Sequence, residues 1–253
     1  MTDGQRNGQP AVRLHEVTKS FGAQRVLDRV SFDVAAGTAC CVLGRSGTGK
    51  SVTLKHIIGL MKPDSGQVLV FGKDVPTLST RDLAQVRKGI GFLFQNAALF
   101  DSISVGENVA FPMRRHTTLA ESEIRDRVQQ KLDAVGLGNE TDKMPADLSG
   151  GMRKRAGLAR AMALDPRLLL VDEPSAGLDP ITAGEIDDLL LHLKQEQHTT
   201  LVVVTHNIPS ARTIGDELLM LHEARILARG TADELSQSDD EIVRAFMRST
   251  GGG

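Results

Sequence analysis

The segment Gly44-Arg45-Ser46-Gly47-Thr48-Gly49-Lys50-Ser51 constrains this chain more than any other. It follows a short, nearly all-apolar run, Thr38–Leu43, and opens a helical pattern that reaches about Leu60 and stops near Pro63-Asp64. An apolar run of that length fits a strand buried on both faces of a parallel sheet. The glycines let the backbone curl between strand and helix, so that successive N–H groups point into one concavity. The helix N-terminus adds its positive dipole end. Such a loop cradles phosphates, with Gly44, Ser46, Gly47 and Gly49 shaping it. Lys50 then reaches the outer phosphates of a nucleotide, and the Ser51 hydroxyl is placed to ligate Mg²⁺.

A second run, Leu168–Asp172, is an apolar strand that ends in two acids, Asp172 and Glu173. Alone, these would read as solvated carboxylates. Downstream of a phosphate loop they take another meaning, because ligands bind at the C-terminal ends of parallel strands. Asp172 is expected to hold the Mg²⁺ shell, and Glu173 to act as general base on the attacking water. Further strand patterns fall at Val12–Val17, Val30–Val34, Gln67–Phe71, Ile90–Phe94, Thr200–Thr205 and Glu217–Leu221. Helical patterns fall at Glu121–Val135, Gly150–Leu164 and Ile181–Glu196. The order is α/β, then a helical insertion, then α/β again. One or two short helices outside the core are expected over 231–248.

Leu148-Ser149-Gly150-Gly151-Met152 precedes the helical run RKRAGLARAMAL. Ser149 is a good N-cap, whereas two glycines in a first helical turn cost roughly 1 kcal/mol each against Ala. Close approach of the backbone N–H groups to an anion would offset that cost. The following run, Arg153-Lys154-Arg155, reads as a solvated helix face.

With these pieces in place, the chain resembles the ATP-binding subunits of ABC transporters, over about residues 12–230, and LSGGM resembles that family's signature. The resemblance implies a P-loop NTPase (RecA-like) core with a mainly parallel sheet, an antiparallel β subdomain and an inserted α-helical subdomain. It divides the chain into a disordered lead-in (1–10), the core (11–95 and 166–230), the helical subdomain (96–165) and a helical tail (231–253). It also implies roles for residues that mean little alone. Phe21 would stack on adenine, and Gln95 would contact Mg²⁺ or the attacking water. Asp179 would face a partner subunit, and His206 would contact the γ-phosphate. Only one phosphate loop and one signature occur here, so the working unit is expected to be two copies, head to tail. ATP on one copy would then be covered by Ser149, Gly150 and Gly151 of the other.

The stretch after Gln95 is similar to ATPases of the MCE/Mla type, which energise lipid movement between bacterial membranes. Ala98-Leu99-Phe100-Asp101 and the run from Glu107 to Thr118 carry that similarity. Leu99, Phe100, Val105, Val109 and Phe111 could line a groove for a helix of a membrane subunit, although Val109 and Phe111 could equally pack the subdomain. The implied partners are an integral membrane permease and an MCE-domain lipid-binding protein, at the cytoplasmic face of the inner membrane. An importer of a polar solute such as an amino acid is the alternative.

Composition sets limits on other readings. The chain has 30 Lys+Arg against 32 Asp+Glu, a formal charge of −2, which argues against a nucleic-acid binder. It has no Trp or Tyr to stack on single-stranded bases. No run approaches the roughly 20 apolar residues that span a bilayer. From Lys50 to Ser149 there is room for a helical subdomain but not for the long coiled coils of DNA-repair ABC proteins. The adjacent Cys40 and Cys41 read as buried free thiols, since neighbours pair badly in a disulfide.

Overall fold

The computed structural model describes residues 9–249. The expected lead-in lies almost wholly outside them. Strands β1 (Val12–Phe21) and β2 (Gln24–Val34) form a hairpin turned at Gly22, whose φ of +59° suits glycine. Val12, Leu14, Val17, Leu27, Val30 and Phe32 are buried, and polar residues stand between them. This is the alternation of a sheet with one wet face. β1 runs on past Val17 and β2 begins before Val30, beyond the apolar pattern, because the outer half of the hairpin carries charged residues. The next elements are β3 (Ala39–Leu43) and helix α1 (Lys50–Ile57). The helix ends short of Leu60, at a turn with Gly59 at φ +72°. With β4 (Ser65–Val70) and β5 (Lys73–Asp74), the hairpin makes an antiparallel sheet ordered β2-β1-β4-β5.

The central sheet has six strands. After α2 (Thr80–Lys88) come β6 (Ile90–Leu93), β7 (Leu168–Asp172), β8 (Thr200–Thr205), β9 (Glu217–His222) and β10 (Arg225–Gly230). Their order is β10-β9-β3-β8-β7-β6, parallel throughout except for the edge strand β10. Side chains of β3, β7 and β8 alternate between two cores. Cys40, Val42, Leu168, Leu170, Val202 and Val204 pack toward α1 and the antiparallel sheet. Cys41, Leu43, Leu169, Val171, Leu201 and Val203 pack toward the remaining helices. Burial pushes the thiols of both Cys40 and Cys41 upward, Cys41 to about 12.

The inserted helices are α3 (Val105–His116), α4 (Glu121–Ala134) and α5 (Gly150–Ala161). Helix α3 buries Val105, Val109 and Met113, so Val105 does not line a surface groove, and Val109 takes the alternative of packing the subdomain. Phe100 and Phe111 remain exposed, with ring centroids 5.0 Å apart. The last elements are α6 (Pro180–Gln197), α7 (Ile208–Ile214), α8 (Ala232–Ser236) and α9 (Glu241–Arg248). The two short terminal helices are not outside the core: Leu235, Val243 and Met247 are buried in it.

Asp187 sits on the inner face of α6, only 6% exposed, with Oδ1 lacking a hydrogen-bond partner. Burial raises its carboxyl to about 6, opposed by the Ser210 hydroxyl and reinforced slightly by Asp188. The fold therefore prefers the protonated acid. Stability falls as pH rises from about 4 through 6 and stays low above that. Asp187→Asn is expected to add about 1–2 kcal/mol at pH 8 and roughly a third of that at pH 4.5. Urea unfolding at the two pH values checks this, and an equal gain at both would disprove the buried-charge account.

Candidate active site

The central sheet delivers its chemistry at one edge. Strands β3, β8 and β7 are neighbours, and their C-terminal ends carry the Gly44–Gly49 loop, His206 and the Asp172-Glu173 pair. The loop needs glycine at definite points. A side chain on Gly44 would meet the Leu221 carbonyl at 2.7 Å. One on Gly49, at φ +100°, would meet the Val26 carbonyl at 2.7 Å. Gly49 is the N-cap of α1, so the loop runs directly into the helix N-terminus.

Lys50 is the first residue of α1 and is 6% exposed. Its Nζ donates to the carbonyls of Gly44 (2.8 Å) and Arg45 (3.1 Å) and lies 3.3 Å from Glu173 Oε1. The Ser51 hydroxyl donates to Asp172 Oδ1 at 3.0 Å. Burial raises the Asp172 carboxyl above its usual range; the Ser51 hydrogen bond opposes this, nearby Glu173 adds to it, and Lys50 opposes it. Glu173, 8% exposed, has φ +48°, a conformation uncommon outside glycine. Its carboxylate accepts from the His206 ring Nδ1 (2.9 Å) and from the His206 main-chain N–H (3.2 Å).

Most of these groups line one cleft of about 450 Å³. Phe21, Ser46, Gly47, Gly49, Lys50, Ser51, Gln95, Glu173 and His206 all border it, joined by Gln24 and Val26 of β2. Phe21 stands 46% exposed at the end of β1, with the Lys19 ammonium 5.7 Å from its ring centre. Gln95 is exposed just beyond β6.

Six expected residues do not line this cleft: Gly44 and Asp172, which are hydrogen-bonded to Lys50 and Ser51 of its lining, and four others. Ser149 caps α5, its hydroxyl accepting from the Met152 N–H at 3.2 Å, with Gly150 and Gly151 in the first turn. Gly151 has a steric reason within its own chain, since a methyl there would run into the Thr182 side chain. Gly150 has none: the nearest atom to an added methyl would be Leu178 Cδ2, at 3.6 Å. Asp179 caps α6, accepting from the N–H groups of Ile181 (3.0 Å) and Thr182 (3.1 Å) and from the Thr182 hydroxyl (2.6 Å). Those bonds, the hydroxyl first, hold its carboxyl below the usual range.

Lys154 corrects the reading of the basic run as a solvated face. It is 5% exposed, and its Nζ donates to the Glu173 main-chain carbonyl at 2.9 Å. Burial lowers its pKa, against the pull of Glu173 and Asp172. The periodicity held the signal: Gly151, Lys154 and Leu158 share the inward stripe of α5. Arg160 is also absent from the sequence reading. It donates to the carbonyls of Ala97 (2.8 Å) and Ala98 (2.7 Å), two consecutive residues at positive φ just after Gln95.

The family model described as "ABC transporter" matches residues 27–176. The chain is 44% identical over 245 residues to the "Probable ribonucleotide transport ATP-binding protein mkl" of Mycobacterium leprae, covering 97% of this chain and 71% of that one. It is 41% identical over 245 residues to the "Intermembrane phospholipid transport system ATP-binding protein MlaF" of Haemophilus influenzae, covering 97% and 93%. Among solved structures, cbiO1 from Clostridium perfringens, part of an ABC transporter complex, superposes with a TM-score of 0.83 at 29% identity, covering 95% and 96%. A dimeric ATP-binding cassette in a post-hydrolysis state with ADP and Pi gives 0.81 at 32%, covering 87% and 98%. By these likenesses the chain belongs to the ABC transporter family, as an ATP-hydrolysing subunit.

Proposed function

We propose that this subunit pairs with a second copy on the cytoplasmic face of the inner membrane and drives a permease that moves phospholipid between bacterial membranes, together with an MCE-domain protein. The observation that carries the ATPase half is the convergence of Lys50, Ser51, Asp172, Glu173 and His206 at the ends of three adjacent parallel strands. The lipid half is supported by the 41% identity to MlaF over 93% of that protein's length, and by the segment after Gln95. No helix among the described residues is long and apolar enough to cross a membrane; in this reading the permease supplies the path for the cargo.

Each residue has a defined part in this reading. Main-chain N–H groups of the loop and the α1 N-terminus bind the phosphates, with Lys50 on the β/γ pair. Phe21 offers its exposed ring to the adenine. Glu173 takes a proton from water, and His206 holds the carboxylate in place while facing the γ-phosphate. Ser51 and Asp172 offer two hard oxygens 3.0 Å apart beside the exposed Gln95 carboxamide, a donor set that fits Mg²⁺. When bound there, Mg²⁺ would neutralise charge on the phosphates. Ser149, Gly150 and Gly151 do not line their own chain's cleft and are left to cover the nucleotide of the second copy, with Asp179 at the same junction. ATP contacted from both sides favours the closed pair, and hydrolysis removes that preference.

A tagged pull-down from native membranes, with mass spectrometry of proteins and lipids, tests the cargo. The expected result is a multi-span permease, an MCE-domain protein and phospholipid. Recovery of a permease with a solute-binding protein or ribonucleotide, without lipid, would keep the motor and remove the lipid reading. The adenine contact has its own check. The chain has no Trp, so Phe21→Trp creates a single reporter. Its emission is expected to change on ATP addition, and Phe21→Ala to weaken ATP binding about 5- to 20-fold, in line with ~1–2 kcal/mol for stacking. A silent Trp signal would displace the ring from the site.

A further inference from the structure

Glu173 has five partners, one of them local: the Ala176 N–H donates to its carbonyl at 3.3 Å within the same turn. Its N–H donates to the Val204 carbonyl at 2.9 Å, and its carboxylate meets Lys50 and His206. Val204 and His206 lie on β8 and just beyond it, and Lys50 opens α1 after the phosphate loop. The fifth is Lys154, whose ammonium donates to the same Glu173 carbonyl at 2.9 Å, and it comes from α5. Glu173 adopts φ +48°, a backbone conformation that a glutamate does not prefer and that its surroundings must impose. A lysine that is almost completely buried, with a neutral carbonyl as its hydrogen-bond acceptor, is also an unusual choice for a helix. Both oddities are resolved by the same contact.

We propose that Lys154 is a positioning residue for ATP hydrolysis. It fixes the peptide of Glu173 so that the carboxylate faces the cleft, and it ties that geometry to the position of α5. Lys154 lies five residues from Ser149, about 7–8 Å along the helix axis. The N-terminus of α5 packs closely on α6, Gly151 against Thr182, so the helix end cannot slide without moving its neighbours. When Ser149 and Gly150 of one copy close over the nucleotide of the other, the same helix sets the copy's own Glu173. The two nucleotide sites of a pair are thereby coupled through α5. This rests on the reading of Glu173 as the base.

The test uses the full chain with Lys154→Met, which keeps length and apolar stem, and with Lys154→Gln and Lys154→Arg. Hydrogen exchange in the peptide that spans residues 173–177 is expected to quicken at least 10-fold in the Met variant. Its kcat is expected to drop about 30-fold, while KM and the equilibrium affinity for ATP stay within about 3-fold. Lys154→Arg, which restores a charged donor, recovers most of the kcat. In single turnover, Lys154→Met adds no further loss to Glu173→Gln, because both act through one group. Wild-type exchange and wild-type kcat in the Met variant would overturn the proposal. So would a lower melting temperature with kcat unchanged, or a kcat loss that persists in the Glu173→Gln background. Should the Met variant fail to fold, the Gln variant carries the same readings. If Glu173→Gln itself turns over at the wild-type rate, the assignment of the base falls, and the exchange data still decide whether Lys154 holds the segment.

Discussion

Replacing Glu173 by Gln leaves ATP binding intact and lowers turnover about 10³-fold, the scale on which general bases contribute. The substitution keeps the size of the side chain and its place beside Lys50 and His206, so the cleft survives. What it removes is the proton acceptor. It also removes one negative charge from the wall that faces the phosphates, so ATP affinity should be equal or higher. A species that binds ATP and does not hydrolyse it should accumulate as closed pairs. Size-exclusion chromatography with ATP, beside a phosphate-release assay, reads both. Near-wild-type release would transfer the base role to another group.

Lys50→Ala acts on binding itself. The ammonium is buried at the base of the loop, where its three donors face oxygens of Gly44, Arg45 and Glu173, and a phosphate oxygen would take the place of one of them. Loss of a desolvated charge contact of this kind costs about 2–5 kcal/mol, so ATP affinity should fall at least ~30-fold. The variant also leaves Glu173 without its buried cation, which adds repulsion toward any phosphate. Equilibrium titration, with no turnover required, is the measurement. An unchanged isotherm would count against the phosphate-loop reading, whatever happened to activity.

The two halves of this site differ in how readable they are from sequence. Gly44–Ser51 and Asp172-Glu173 are local: a strand ends, a loop follows, and the residue types are dictated within a few positions. The parallel order of β3, β8 and β7 follows from apolar runs that have no wet face. Lys154 was lost because its partner is a backbone carbonyl 19 positions away, and a carbonyl leaves no mark in a sequence. Helix α3 was hidden for another reason. Pro112 lies inside it, and its exposed Phe111 together with buried Val105 and Val109 imitates a surface cluster. Asp179 was read for its partner-facing part, yet its first task is local, since three donors of its own helix start occupy it. The single-chain structure assigns Gly150 no such task, and that fits a residue kept small for a second copy.

The two thiols of β3 give the protein a built-in clock. Cys40 and Cys41 point to opposite sides of the central sheet, into separate cores, and neither meets solvent. With both thiolates suppressed, a maleimide or disulfide reagent finds nothing to attack while the sheet is closed. Modification of this native pair therefore counts openings of the central sheet. A cysteine engineered at any exposed position would be the sole fast-reacting handle, so distance probes could be placed on working protein without first stripping the natural residues.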